Sequence, residues 1–499
     1  MNVLLVYPEF PVSFWSFKYA LKIAGCKAAL PPLGLLTVAA MLPPEWNLRL
    51  VDLNTSKLTK KDLAWANAVL ISAMIIQRES AKEVIARCHA TDLPIIAGGP
   101  LFTEESENFS DVDYLVLGEA EEILPEFLKD FESGTAKHLY QAPGFADIKT
   151  TPVPRFGLLN MGKYASMAIQ FSRGCPFNCE FCDVVRLFGH RPRTKTANQI
   201  IQELDTLWNA GWRGSIFFVD DNFIGNKKYL KETLLPALII WQNSHRESIQ
   251  LYTEASINLA DDPELMRLMV EAGFNQVFIG IETPDALGLA ECNKTQNKNR
   301  DLQKCIDRIL AAGMQVQAGF IIGFDSDGPG IFERQIKFIG QSGIVTAMVG
   351  VLQAIRGTKL YERLEKEGRI LEEEVSGNNV GTGTNIKTRM DPEVLTTGYR
   401  ELMQHLYAPK QYYERIRTFL KKYHPAQNRG GLHIMRSIMP FTRSVLYLGI
   451  LGKERWRFWG LMLWILFHNP RFFRIGITHA AYGRHFRIVA NQEAQVQIV

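Results

Sequence analysis

At 499 residues the chain is too long for one compact core and suits two or three domains of ~100–200 residues each. Its 46% hydrophobic and 22% charged residues, without low-complexity tracts or internal repeats, describe an ordinary globular protein. Seven scattered Cys exclude a disulfide framework, and a net charge of +4, divided into +7 from Gly431 onward and −3 before it, excludes a nucleic-acid-binding core. The first run, Met1-Asn-Val-Leu-Leu-Val-Tyr7, is too short for a signal peptide and lacks a basic lead-in. It predicts a buried strand and, with the free cysteines, a cytoplasmic protein.

Apolar runs at Val3–Tyr7, Leu48–Asp52, Ala68–Ser72, Pro94–Gly98 and Tyr114–Gly118 alternate with helix-length segments. This pattern predicts a parallel sheet covered on both faces. Ligands of such sheets bind beyond the carboxyl ends of the strands. The candidate contacts there are Asp52 and Asn54, Ser72, Gly98, Gly99 and Pro100, and Gly118 with Glu119. The first turn has no Gly-x-Gly-x-x-Gly, which argues against a dinucleotide site.

Residues 134–163, with Pro143-Gly144 and Thr151-Pro-Val-Pro154, are too proline-rich for a helix or central strand and read as an ordered linker. From Tyr164 to about residue 375, strand-like runs (Ala168–Phe171, Ser215–Val219, Leu251–Glu254, Gln276–Ile279, Val316–Ile322, Met348–Leu352) alternate with amphipathic helices. Six such units predict an incomplete (β/α) barrel with its site at the C-terminal strand ends. Directly after the first of them, Gly174-Cys-Pro-Phe-Asn-Cys-Glu-Phe-Cys182 places Cys175, Cys179 and Cys182 in one compact loop. A [4Fe–4S] cube normally takes four Cys, so three would leave one iron open to an external ligand. On spacing alone, a zinc site with His190 as fourth ligand is the alternative. Other polar residues at predicted strand ends are Asp220, Asp221 and Asn222, Glu254 and Ser256, Gly280 and Glu282, and Gly323.

Residues 376–499 begin with a Gly/Asn/Thr-rich loop, Ser376 to Thr384, expected to be flexible and near the substrate. Helical segments follow, and 455–467 is apolar with Trp456, Trp459 and Trp464 beside Arg455 and Arg457. Its uncharged part is about half the ~20 residues needed to span a bilayer. It suits an interfacial helix, with a helix packed on the barrel as the alternative.

The cysteine spacing, with Phe181 just before the last Cys, resembles the radical S-adenosylmethionine (SAM) superfamily. The first domain, with Pro32 and Gly34 in Pro31-Pro-Leu-Gly-Leu35 and the Gly98-Gly99-Pro100 turn, resembles the cobalamin-binding domain that precedes many radical SAM domains. Glu291 to Leu302 and Ala318 to Asp325 resemble a narrower subgroup, the cobalamin-dependent methylases related to hopanoid C-2 methylase. The resemblance implies α/β architecture: a Rossmann-like cobalamin domain (1–133), the linker (134–163), a partial (β/α)6 barrel (164–375) and a helical C-terminal region (376–499). It implies three cofactors: a [4Fe–4S] cluster on the three cysteines, SAM, and cobalamin. Phe181, Asp220–Asn222, Glu254, Ser256, Gly280, Glu282 and Gly323 would bind SAM; the missing Gly-Gly-Glu leaves open which of Asp220 to Asn222 acts.

In that family one SAM methylates cobalamin and another gives a 5′-deoxyadenosyl radical, so an apolar small molecule would be methylated at an unactivated carbon. The one-electron reductant would be a flavodoxin or ferredoxin. No Asp-x-His-x-x-Gly occurs in residues 1–130, so the cobalt is expected without a protein His ligand, and His89 is expected at the surface. Radical cyclisation or oxidation of a tetrapyrrole-like substrate, and a non-catalytic cluster or corrinoid carrier, are the rival readings. The basic, aromatic tail adds an expected peripheral membrane contact.

Overall fold

The computed structural model describes every residue except 246–248, 372–375, 379, 382, 426–433 and 496–499. Six parallel strands, β1 (Asn2–Tyr7), β2 (Asn47–Asp52), β3 (Ala68–Ser72), β4 (Ile95–Gly98), β5 (Tyr114–Leu117) and β6 (Leu139–Gln141), form the first sheet in the order β2-β1-β3-β4-β5-β6. Alternate residues feed two cores: Leu4, Val6, Val69 and Ile71 pack on one face, Val3, Leu5, Ala68 and Leu70 on the other. Burial on both faces is why the sequence reads as unbroken apolar runs. The chain steps from β1 to β2 on one side and to β3 on the other, so the topological switch lies between β1 and β3, beside Pro8 and Ser72.

Two boundaries differ from the sequence expectation. Within 134–163, the segment read as a linker, β6 adds a strand to the first sheet. One anchoring residue suffices: Tyr140 is 3% exposed, meets Phe127 edge-on and donates its hydroxyl to Asp130 at 2.8 Å. Residues 13–29, placed in the first domain, instead leave its sheet for the barrel. Ala28 bridges to Tyr164 at the barrel edge, and Phe14 stacks on Phe486 with ring centroids 4.1 Å apart.

The second sheet has six strands, β7 (Ser166–Ile169), β10 (Ser215–Phe218), β11 (Leu251–Glu254), β12 (Phe274–Glu282), β13 (Gln315–Ile322) and β14 (Ala347–Val351). It is wholly parallel, in the order β14-β13-β12-β11-β10-β7. This is the expected six-stranded partial barrel. Between β7 and β10, the two-residue strands β8 (Ser172–Arg173) and β9 (Arg193–Thr194) pair antiparallel and bracket the cysteine loop. One set of alternate residues, including Ile216, Leu251, Val277 and Ala318, lies in the large core. The other set, including Phe217, Tyr252, Phe278 and Gln317, faces the barrel interior.

The open side of the barrel is closed from both ends of the chain. Helix α1 (Lys18–Ala24) packs against α7 (Phe473–Gln495). His485 on α7 donates Nε2–H to the carbonyls of Ser13 and Phe14 at 3.1 and 2.9 Å, and burial lowers its pKa to about 4. Trp15 enters the interior, where its indole N–H points at Met348 Sδ (3.1 Å) and its ring meets Phe278 edge-on. Helices α4 (Pro392–Tyr407), α5 (Pro409–Lys422) and α6 (Arg455–His468) complete the C-terminal layer. Arg415 on α5 is fully enclosed and satisfies the carbonyls of Leu406 and Val345, tying this layer to the barrel. The ends of the 376–384 loop are held: Gly377 lies against Ile76 of the first domain, and Thr384 donates to Leu352 O at 2.6 Å. Its Asn379 and Thr382 lie outside the described residues.

Candidate active site

Cys175, Cys179 and Cys182 lie half-buried in the loop between β8 and β9, beyond the C-terminal end of β7. Three elements fasten this loop. Asp220, at the end of β10 and fully buried, accepts hydrogen bonds from Phe171 N, Ser172 N and the Ser172 hydroxyl. Glu180, between two of the cysteines, takes a two-pronged contact from Arg363 on α3 (Lys359–Lys366), 2.7 and 3.2 Å long. Asn293 donates to Asn178 O at 2.9 Å. His190, the fourth ligand of the zinc alternative, is exposed.

The structure distinguishes the three polar residues after β10. Asp220 braces the loop from below, as described. Asn222 accepts from Ser256 N and Oγ at 3.2 and 3.3 Å, which links two strand ends and occupies Ser256 as well. Asp221 is half-buried and receives Gly174 N at 3.3 Å, beside Cys175 and Glu254. Burial raises the Asp221 carboxyl to about 6 and that of Glu254 to about 8, and their mutual repulsion adds to the latter. Opposite them, Glu282 and Lys294 pair at 2.5 Å, and Lys294 lies 5.9 Å from the Phe181 ring centroid. Glu282 has φ +63° at a bulge in β12, a conformation rare outside glycine. A Cβ on Gly280 would meet the charged ends of Glu282 and Lys294, so the ion pair would have to shift to admit one. Gly323, with φ +95°, ends β13 in a turn held by Asp327, which accepts its N–H at 2.8 Å.

The raised carboxyls give a pH prediction. Glu254 and Asp220, at about 8 and 7 when folded, both ionise near pH 4 when unfolded, so the native state holds extra protons between those limits. Stability of the cofactor-free protein falls as pH rises from 6.5 to 8, by about 2 kcal/mol. Below 6.5 the buried His479 and His485, both near 4, oppose this trend. Urea unfolding at the two pH values measures the drop, and Glu254→Gln removes roughly two thirds of it.

Across the interdomain joint, Ser72, Gly98 and Gly99-Pro100 form the strand-end rim of the first sheet. Gly99 has φ +93°, and a Cβ there would lie 2.7 Å from Ser72 Oγ, so only glycine closes this turn. Gly34 follows Pro32 at the start of α2 (Leu33–Met41), and a Cβ on it would point into open space. Gly118, φ +87°, abuts Ala142.

Two expected ligand contacts are instead taken up by the joint itself. Asp52, 2% exposed, accepts from the Tyr164 hydroxyl and from Asn54 N and Nδ2, at 2.8 to 2.9 Å. Glu119, also buried, receives Arg193, Arg173 Nη1 (3.1 Å) and Ala146 N. Arg173 extends further to Glu121, at 2.7 and 3.0 Å, so one guanidinium two residues before Cys175 binds two carboxylates of the first domain. The sequence offered no way to see that these acids would meet cations from the barrel.

Comparison with known proteins agrees with this layout. The B12 binding domain matches residues 23–128, the Radical SAM superfamily residues 169–339, and a domain of unknown function (DUF4070) residues 358–497. An uncharacterized methyltransferase of Synechocystis sp. is 42% identical over 100% of this chain and 94% of its own length. Hopanoid C-2 methylase of Rhodopseudomonas palustris is 35% identical over 93% of this chain and 89% of its own. The chain belongs to the cobalamin-dependent radical SAM methylases. Its fold is similar to that of the cobalamin-dependent SAM radical enzyme OxsB solved with aqua-cobalamin and SAM, with TM-score 0.63 at 15% identity over 100% of this chain and 81% of that one.

As a methylase of this family the protein uses an iron–sulfur cluster, SAM and cobalamin, and its residues fit all three. The cysteine loop offers three thiols and no converging fourth, since buried Cys292 turns its thiol to Leu289 O and burial pushes it up to about 12. Gln296 Nε2 reaches Cys179 Sγ at 3.7 Å, while Gln296 Oε1 and Asn297 Oδ1 are buried without partners. The open space at Gly34 and the glycine rim suit a bulky ligand on the first sheet. His89 lies at the surface, with Nε2 3.0 Å from Asp111 O. Lys294, Gln296 and Asn297, which sequence reasoning did not single out, lie beside the cysteine loop and the end of β12. They sit in a loop after β12 without a spacing signature, in the run that carries the subgroup resemblance.

Proposed function

We propose that the methylase transfers a methyl group to an unactivated carbon of a hopanoid-like lipid held inside the barrel mouth. The observation that carries this is the apolar interior beneath the cysteine loop. Trp15 meets Phe278 and Met348 there, Phe217 stacks on Tyr252 at 4.7 Å, and Gly280, Gly319 and Gly350 line the strands above. An aromatic and aliphatic lining of this kind favours a large apolar body over a charged or strongly polar one. The 35% identity to a hopanoid methylase along nearly the whole chain supports the same class.

In this reading Cys175, Cys179 and Cys182 hold the cluster. Asp221, Glu254 and Glu282 face the polar end of SAM, with Phe181 and Gly280 shaping its wall, while Asp220, Asn222, Ser256 and Gly323 set the loops that carry those contacts. Pro32, Gly34, Ser72, Gly98, Gly99, Pro100 and Gly118 approach cobalamin, and Asp52, Asn54 and Glu119 fix the joint beside it. The bound cofactors supply hydrogen abstraction and the methyl group. The chain orients them, excludes water and holds the reacting carbon between its two sheets. The domains run 1–133, 164–375 and 376–499 with the exchange of residues 13–29 and β6 described above. A flavodoxin or ferredoxin supplies the electron on the cytoplasmic side.

No helix of the described residues is long and apolar enough to cross a membrane. We place the C-terminal region at the membrane surface instead. On α6, Trp456, Leu463 and Phe467 are 77, 53 and 85% exposed, an apolar face that water covers poorly. Lipid extracts of a deletion strain and its parent test the substrate class. The expected result is loss of one methylated lipid; an unchanged lipid profile with an altered pigment would favour a tetrapyrrole.

A further inference from the structure

The C-terminal layer holds a cavity of about 530 Å³ between α5 and α6, remote in sequence from the cysteine loop and without a role in the chemistry above. Both helices begin at it, α5 at Pro409 and α6 at Arg455, and neither has a side-chain cap. Pro409 carries no N–H, and Arg455 N and Arg457 N donate to Gly452 O and Glu454 O, so the two helix starts offer the cavity the positive ends of their dipoles. Lys410, Arg417, Lys453 and Arg457 line the same space. Two carboxylates are present, but Glu454 is already paired with Arg487, which leaves exposed Glu414 to face four cations. Among the described residues no carboxylate pairs with Lys410, Lys453 or Arg457. Tyr413, 3% exposed, packs its side chain into the wall of the cavity.

We infer that this cavity binds the phosphate of an anionic phospholipid headgroup and is the membrane address of the C-terminal region. The inference rests on the membrane placement proposed above and adds a specific site to it. The lipid, rather than free phosphate, is the occupant because Trp456 belongs to two features at once. It lines the cavity, and it starts the exposed apolar stripe of α6 that continues through Trp459, Leu463 and Phe467. A headgroup in the cavity therefore leaves its acyl chains along that stripe, with Trp at the interface where such side chains settle. The cations supply attraction to anionic lipid of about fivefold in affinity each.

Co-sedimentation of the purified full-length protein with vesicles tests this. Phosphatidylcholine vesicles are compared with vesicles in which about one quarter of the lipid is phosphatidylglycerol, at low salt. The wild-type protein is expected to prefer the anionic vesicles, and K410Q/K453Q/R457Q to lose that preference by on the order of a hundredfold while keeping weak binding to both kinds. W456A/F467A is expected to lose binding to both. All five side chains are exposed or lie at the α6 stripe, so circular dichroism of the variants should match the wild type. Retention of the preference by the triple variant would overturn the headgroup site and leave the membrane placement standing. Wild-type protein that binds neither vesicle would overturn both. Binding of inorganic phosphate without any vesicle binding would overturn the lipid as occupant.

Discussion

Replacing Cys182 with alanine reduces iron content and brings 5′-deoxyadenosine formation down to the background of reductant alone, with the fold of the cofactor-free protein unchanged. The thiol is one of three in a loop that offers no spare donor. Cys292, the other cysteine near Cys179, is buried, protonated and turned toward Leu289 O. Losing one thiolate leaves a second iron without a protein ligand, and a cube so held is labile. The fold persists because the loop is fastened by Asp220, Glu180 and Asn293 rather than by the cysteines. Iron analysis and product chromatography on reconstituted protein check both parts, and Cys305→Ala, in a helix away from the loop, should behave as wild type.

The second large effect is expected at Arg173. Substitution by methionine leaves Glu121, 5% exposed, without a cation and removes one of the two that serve Glu119. Breaking a buried pair from one side costs about 3–5 kcal/mol, because the stranded carboxylate stays desolvated. Thermal or urea unfolding should show that loss. The change also has a functional signature. Arg173 ties the cysteine loop to the strand-end side of the cobalamin-binding sheet, so a loosened joint separates the two halves of the reaction. Methyl transfer should fall by more than SAM cleavage, and abortive 5′-deoxyadenosine should accumulate. Arg173→Lys, which keeps the charge and loses the fork, should lie between the two.

The parts of the molecule legible in the sequence are those encoded locally. Strands buried on both faces announce themselves as apolar runs, and all six barrel strands lie within a few residues of expectation. The cysteine loop is legible because its three donors fall within eight consecutive residues. What escaped depends on contacts between distant segments. Three consecutive residues, Asp220 to Asn222, take three different directions after β10, and only the fold assigns one to brace, one to the mouth and one to the neighbouring strand. Asp52 and Glu119 occupy strand ends as a ligand contact would, yet their partners, Tyr164, Arg173 and Arg193, arrive from the next domain. Trp15 lies in a segment that reads as part of the first domain and ends inside the second.

The same long-range organisation explains how one chain can position three cofactors. The cysteine loop and the rim of Asp221, Glu254 and Glu282 belong to the barrel, while the glycine turns belong to the first sheet. The Arg173 and Arg193 ion pairs and the Tyr164–Asp52 hydrogen bond hold the two together. Residues 13–29 and α7 seal the side that the short barrel leaves open.

The most direct test of a radical methylation at this joint is the product balance of the reconstituted protein supplied with methyl-labelled SAM, a one-electron reductant and a hopanoid. The expected result is a hopanoid heavier by one labelled methyl in place of hydrogen, with 5′-deoxyadenosine and S-adenosylhomocysteine formed in equal amounts. Labelled product without 5′-deoxyadenosine, or 5′-deoxyadenosine with no methylated product from any lipid fraction, would contradict it.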